Sequence, residues 1–66
     1  MNEDEVRRFW YYFNEFHRWY GQRKGQAMIN ALRHVAPVLY DEATGTTKDC
    51  FYRDDQVFAL RDWLGI

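Results

Sequence analysis

The sequence predicts an all-α fold, a small bundle of three principal helices with an additional short helix after Pro37. Three observations support this prediction. Residues 3–20 contain neither glycine nor proline, apolar residues recur at helical spacing in several segments, and glycines separate these segments from one another. Because the chain has 66 residues, we expect a single small helical domain over residues 1–66.

The first predicted helix covers about residues 3–20 and is dominated by aromatic side chains. Eight of the thirteen aromatic residues of the chain lie between positions 9 and 20. Asn2 is the expected N-cap, and Gly21 is the expected end because glycine adopts the left-handed conformation that closes helices. Helical spacing places one continuous buried face on Val6, Phe9, Trp10, Phe13, Phe16, His17 and Tyr20.

Tyr12 and Trp19 lie seven residues apart on the shoulder of this face, next to Phe16. They widen the apolar arc to roughly half of the helix circumference, more than a surface helix of a small domain needs. One interpretation is that the rest of the chain covers the shoulder, or that its rings stay half exposed. The other is a surface for a partner or for self-association, because Trp and Tyr are enriched at interface hot spots.

A second helix is predicted over residues 25–35, with a small-residue face that packs against the aromatic helix. Pro37 disfavours helix at the residue before it and starts a further short helix that reaches Thr44. In the second helix, the inward residues are expected to be Ala27, Met28, Ala31, Leu32 and Val35, and the outward ones Asn30, Arg33 and His34. In the short helix, the inward residues are expected to be Val38, Leu39 and Ala43.

The last helix is predicted over about residues 55–64, after a loop that Cys50, Phe51 and Tyr52 anchor through apolar contacts. Asp54 or Asp55 is the expected N-cap. Val57, Leu60 and Leu64 form the inward stripe, Trp63 flanks it, Phe58 points away, and Gly65 ends the helix.

Charge is unevenly distributed, although the net charge is only -1. Residues 16–40 contain the cations Arg18, Arg23, Lys24 and Arg33 and no acid. With Trp19 and Tyr20 interleaved, this basic corner suits phosphate contacts and base stacking, and it equally suits docking on an acidic protein surface. The small number of cations and the slightly acidic total favour the protein surface.

Residues 25–64 carry a sequence pattern that is similar to a known group. The pattern consists of Gly25-Gln26-Ala27, Asn30-Ala31-Leu32, Val35, Pro37, Leu39, Gly45-Thr46, Asp49, Phe51-Tyr52, Asp54-Asp55 and Trp63-Leu64. It resembles short uncharacterised proteins encoded by bacteriophages and prophages, which usually have proline where this chain has Cys50. The resemblance implies a phage or bacterial cytoplasmic origin and no established activity, and it leaves the aromatic helix outside.

No residue set has the spacing of a catalytic, cofactor or metal site. His17 is expected to be a hydrogen-bonded histidine at the edge of the core, and His34 a solvated residue near a helix end. Cys50 lies between Lys48 and Arg53, but with no histidine and acid assignable to it, a structural thiol is the expectation. Asp49, Asp54 and Asp55 lack the spacing of a calcium loop.

We therefore expect a non-enzymatic protein-binding module, a phage-encoded inhibitor or modulator of a host protein, without cofactors or metals. The alternatives are a small nucleic-acid-binding helical protein and a structural homo-oligomer built on the aromatic helix. No signal peptide or transmembrane segment is apparent, so the expected location is the cytoplasm of a bacterial host. The expected contact residues are Tyr12, Trp19, Arg18, Arg23 and Lys24.

Overall fold

The computed structural model describes all 66 residues and confirms the all-α fold, since it contains helices and no strand. Helix α1 does not extend as α-helix to the predicted end, because its last turn is a π-helical segment. The elements in chain order are α1 (Glu3–Asn14), the π segment (Glu15–Trp19), α2 (Lys24–Val35), α3 (Pro37–Ala43), a 3₁₀ turn (Asp54–Gln56) and α4 (Val57–Leu64).

The roles predicted for Asn2 and Gly21 at the two ends of the aromatic helix are both confirmed. The Glu5 amide donates to Asn2 Oδ1 at 2.8 Å, and the Asn2 amide donates to Glu5 Oε1 at 2.9 Å. This reciprocal arrangement is a capping box, which satisfies two backbone donors at the start of α1. At the other end, Gly21 has a φ of +68°, a value that favours glycine because it has no Cβ.

Helix α2 lies at the centre of the molecule, and α1 packs chiefly against it. Ala27 and Ala31 are completely buried, which brings the aromatic rings of α1 close to the α2 backbone. Ile29 was not predicted on the inward face, yet it is only 2% exposed. Residues of α3 and of the loop at positions 49–52 lie beside Ile29, so α2 is covered on more than one side.

Two expected core positions are wrong. Val38 is 69% exposed, because α3 turns Leu39 and Ala43 inward and Val38 is about 100° round the helix from Leu39. Tyr52 is 81% exposed, so the apolar anchoring of the loop comes from Cys50 and half-buried Phe51.

The loop before α4 is fastened to the start of α2 by four hydrogen bonds, an arrangement we call the clasp. Asp54 Oδ1 accepts from the Gly25 amide at 3.0 Å and from Arg23 Nη1 at 3.2 Å. Arg23 Nη2 donates to the Phe51 carbonyl at 2.8 Å, and Cys50 Sγ donates to the Gly25 carbonyl at 3.4 Å. The Asp54 carboxylate therefore caps α2 from a distant part of the chain.

The prediction that Asp54 or Asp55 caps the last helix is wrong. No side chain caps the 3₁₀ turn or α4. Asp54 instead serves α2, and Asp55 accepts from Arg53 Nε at 3.0 Å and Arg53 Nη2 at 2.7 Å. The hydrogen bond from the Arg53 guanidinium lowers the pKa of Asp55 and raises the pKa of Arg53.

Candidate functional site

The π segment changes which way the last aromatic residues of the first helix face. The Tyr20 amide donates to the Glu15 carbonyl at 3.3 Å, five residues back, where an α-helix bonds four residues back. Residues beyond this wide turn are rotated away from their α-helical positions. Tyr20, predicted on the buried face, is 73% exposed, and Trp19 is 78% exposed. The prediction for Tyr20 is therefore wrong.

A stack of three rings joins α1 to the end of α2. The Tyr12 ring lies 4.9 Å from the His34 ring at an interplanar angle of 17°, and the Phe16 ring lies 5.4 Å from the same imidazole. Tyr12 and Phe16 are themselves 6.3 Å apart. His34 is exposed, as predicted, but its ring also covers half-buried Tyr12. The stack thus orients one wall of a surface depression.

That depression, which we call the aromatic cleft, has a volume of about 280 Å³. Tyr11, 60% exposed, forms its outer rim. Its lining comprises Tyr11, Tyr12, Glu15, Phe16, Tyr20 and His34. A neighbouring recess shares Phe16 and His34 and adds Asn30 and Arg33. Four aromatic side chains and one carboxylate therefore meet at a single place on the surface.

The structure separates the two residues of the predicted shoulder. Tyr12 lies in the ring stack and lines the aromatic cleft. Trp19 takes no part in the ring pairs and does not line the cleft, because the wide turn directs it elsewhere. Its indole is among the most exposed large apolar side chains of the molecule.

The predicted cations differ in whether they form ion pairs and hydrogen bonds within the molecule. Arg18 and Lys24 are exposed and form no ion pair, whereas Arg23 is held by Asp54 and Phe51 in the clasp. Lys24 borders a groove of about 310 Å³ between α1, α2 and α4. The Arg33 guanidinium lies 5.7 Å from the Tyr40 ring centroid, nine residues along α2 from Lys24. The cations do not form one compact patch.

His17 is a hydrogen-bonded histidine at the edge of the core, as predicted. Its Nδ1 lies 2.8 Å from the Gln22 carbonyl oxygen, and since a carbonyl accepts, Nδ1–H donates. The imidazole stacks on the Phe13 ring at a centroid distance of 5.5 Å. This bond ties residues 21–23, the hinge between the first helix and α2, to the π segment.

Cys50 lacks the environment of a nucleophilic thiol. Its side chain is completely buried, and burial raises its pKa to about 11. The thiol therefore stays protonated at neutral pH, and the thiolate is the reactive form. No three His, Cys, Asp or Glu side chains converge where they would hold a metal ion.

Comparison with protein-family models, curated proteins and solved structures gave no significant match. No helix has the length and apolar character needed to cross a bilayer.

Sequence reasoning missed Glu15, Tyr11 and His34 as members of one surface, although one signal for His34 was present. In an antiparallel helix pair, residues equally distant from the hinge lie level with each other. Tyr12 and His34 are each eleven positions from Arg23, at the hinge. No comparable signal marked the π segment that turns Tyr20 toward the cleft.

Proposed function

We propose that this chain is a non-enzymatic protein-binding module, a phage-encoded modulator that docks on a host protein through the end of the aromatic helix. The observation that supports this most is the exposure of Tyr11, Trp19 and Tyr20, at 60%, 78% and 73%. Tyr and Trp supply large contact area with a polar end and are enriched at interface hot spots. Contact with a partner removes these rings from water.

The backbone hydrogen-bond pattern of the π segment supports the same docking surface. A π turn is rare, occurs mostly as a short interruption of an α-helix, and is frequent at functional sites. Here, the residues in and directly after the π segment include the two most exposed rings of the helix, Trp19 and Tyr20. A continuous α-helix would follow the predicted pattern and turn Tyr20 toward the core.

Two exposed cations lie on either side of Trp19 and Tyr20 in the sequence, Arg18 directly before them and Lys24 at the start of α2. Arg18 and Lys24 are exposed and lack an acidic partner. Charges at the rim of an interface chiefly accelerate the encounter and select among partners. We therefore assign steering to Arg18 and Lys24, and anchoring to Trp19 with the rings of the aromatic cleft. Arg23 belongs to the contact set through its exposed edge, although its main contacts are in the clasp.

The test is capture from a nuclease-treated bacterial lysate at moderate salt, with the tagged protein beside two double variants. Trp19→Ala/Tyr20→Ala removes exposed rings from the proposed surface. Val38→Ala/Tyr52→Ala is the matched control, because these apolar side chains are 69% and 81% exposed and line neither the aromatic cleft nor the groove beside Lys24. Circular dichroism and thermal unfolding establish that both variants fold.

We expect one host protein to be retained by the wild type and the control and lost from Trp19→Ala/Tyr20→Ala. Retention by all three proteins, or by none, refutes the proposed surface. Tyr12 is not used in this test because its ring packs against His34, so its truncation changes stability as well as surface.

Nucleic-acid binding is a second candidate, favoured by the exposed Trp19 and Tyr20 rings together with the exposed cations Arg18 and Lys24. It predicts binding to single-stranded DNA that weakens steeply with salt and is lost in Arg18→Ala/Lys24→Ala. A homo-oligomer on the same surface instead predicts thermal stability that rises with protein concentration. Both measurements use the protein alone, so they separate these alternatives from host-protein binding.

A further inference from the structure

We propose that the aromatic cleft binds a cationic side chain, the guanidinium of an arginine or the ammonium of a lysine, presented by the partner protein. The inference rests on the proposed function and specifies what the partner places there. It follows from the composition of the lining, from the charge of Glu15, and from the position of Glu15 in the helix.

The lining has the composition of a cation site. Tyr11, Tyr12, Phe16 and Tyr20 contribute four aromatic rings, and the lining contains neither lysine nor arginine. The faces of aromatic rings carry negative partial charge and attract organic cations that approach within about 6 Å. Adjacent ring centroids along this wall are 5.4 to 6.3 Å apart, so a planar guanidinium reaches more than one ring.

Glu15 supplies a full negative charge beside these rings. Its side chain is half-buried and belongs to the lining. None of the four ion pairs of the molecule includes it, and its carboxylate accepts no side-chain hydrogen bond. Arg18, three residues further along the helix, forms no ion pair with it and does not line the cleft. A carboxylate accepts two parallel hydrogen bonds from a guanidinium, which fixes orientation as well as charge.

The position of Glu15 is unfavourable for the helix itself. It is the first residue of the π turn that ends the first helix, and the negative end of a helix dipole disfavours a carboxylate and favours a cation nearby. When a residue breaks a local rule of helix stability and nothing in the fold compensates, the position is often part of a functional site. A bound cation removes the conflict, because it is attracted by the carboxylate and by the dipole together.

Neighbouring positive groups leave the cleft open to a cation. Arg33 borders the adjoining recess rather than the cleft, and its guanidinium is directed to the Tyr40 ring. His34 lies within the wall, stacked on Tyr12. Arg18 and Lys24 lie outside the lining. The charge pattern therefore requires a partner that is acidic opposite Arg18 and Lys24 and carries one cation opposite Glu15.

The experiment titrates ¹⁵N-labelled protein with Nα-acetyl-arginine methylamide and, in parallel, with Nα-acetyl-citrulline methylamide. Citrulline has the shape of arginine but is neutral, so the pair isolates the charge. We expect saturable chemical-shift changes at Tyr11, Glu15 and Tyr20 with the arginine compound. The dissociation constant should be on the order of 10 mM, as for a single cation on aromatic rings without other contacts.

Two variants test the contribution of the carboxylate. Glu15→Gln keeps the shape of the side chain and should weaken arginine binding about fivefold, the ratio for a loss of roughly 1 kcal/mol. Glu42→Gln, at an exposed acid of α3 outside the cleft, should leave it unchanged. The dipole argument predicts that Glu15→Gln is at least as stable as the wild type, so misfolding does not confuse the result.

Equal binding of the citrulline compound overturns the inference, as does the absence of saturable shifts at the cleft or unchanged arginine affinity in Glu15→Gln. Such a result leaves the proposed function standing if the capture experiment still shows a partner that depends on Trp19 and Tyr20. Failure of the capture experiment removes the protein partner, whereas a positive titration still identifies a cation site.

Discussion

Replacement of Gly25 by alanine tests the clasp directly. Gly25 is buried in the first turn of α2, and a Cβ there collides with the Cys50 carbonyl oxygen. The same Cβ lies 2.9 Å from Asp54 Oδ1 and 3.0 Å from the Cys50 carbonyl carbon. The obstacle is mostly backbone, so the loop at residues 50–54 must move away from α2. Gly25 and Asp54 then lose their hydrogen bond.

The expected destabilisation is about 2 to 5 kcal/mol, from three contributions. Overpacking of a fitted core costs about 1 to 3 kcal/mol. Loss of the Asp54 cap costs about 1 kcal/mol, and weakening of the Cys50 and Arg23 hydrogen bonds costs about 1 to 2 kcal/mol more. Against these, alanine gains about 1 kcal/mol over glycine in helix propensity. A domain of this size has only about 3 to 5 kcal/mol of stability.

Urea unfolding followed by tryptophan fluorescence measures the effect. Gln26→Ala is the control, because it is a glutamine-to-alanine change at the next position of α2 without a steric conflict. We expect Gly25→Ala to be largely unfolded or to have a strongly reduced midpoint, and Gln26→Ala to resemble the wild type. If Gly25→Ala is as stable as the wild type or more stable, helix propensity dominates and the clasp has been misjudged.

Two further predictions concern the same region. Asp54→Ala should lower the free energy of unfolding by about 1 to 2 kcal/mol because α2 loses its cap, whereas Asp55→Ala, which loses only an exposed pair with Arg53, should unfold like the wild type; equal effects would contradict the assignment. Cys50 should resist thiol reagents in the native protein. Because its pKa rises from 9.0 to about 11 on folding, the native state favours the protonated thiol, and this stabilisation is complete below pH 9 and lost as the pH rises to about 11. The unfolding midpoint should therefore fall more steeply over that range than in Cys50→Ala; parallel pH profiles would refute this.

The helices follow from local signals, which is why their number and order were predictable. Asn2 and Glu5 lie three positions apart and form the capping box within one turn. Gly21 and Gly65 adopt the left-handed conformation at the ends where they were expected. Pro37 occupies the first turn of α3. In each case the residue and the group that it serves are neighbours in sequence.

The clasp was not predictable, because it joins residues that are far apart in sequence. Asp54 precedes a helix, so the local pattern assigned it to α4, although its carboxylate bonds the Gly25 amide, 29 positions earlier. Competition between two helix starts for one carboxylate is decided by tertiary packing. The exposure of Val38 is also decided by tertiary packing, because only a narrow stripe of α3 contacts the core and Val38 lies outside it.

The candidate site was predictable in part. Aromatic excess on the first helix indicated a surface beyond the needs of the core, and Tyr12 does line the cleft. The π turn changes the helical period after Asn14, and the prediction assumed a constant 100° per residue. Tyr20 was therefore assigned to the buried face, and Trp19 was placed beside Tyr12, which it does not join in the cleft.

The clasp also has a consequence for the order in which the chain gains structure. Hydrogen bonds within a helix form from local residues, but the first turn of α2 waits for a carboxylate that follows a loop closure of nearly thirty residues. Closing such a loop lowers the conformational entropy of the chain before the contacts at its ends contribute any stabilisation. We therefore expect the start of α2 and the segment at residues 50–56 to form late and to open together as one cooperative unit. The aromatic helix, capped by its own residues, stands outside this unit.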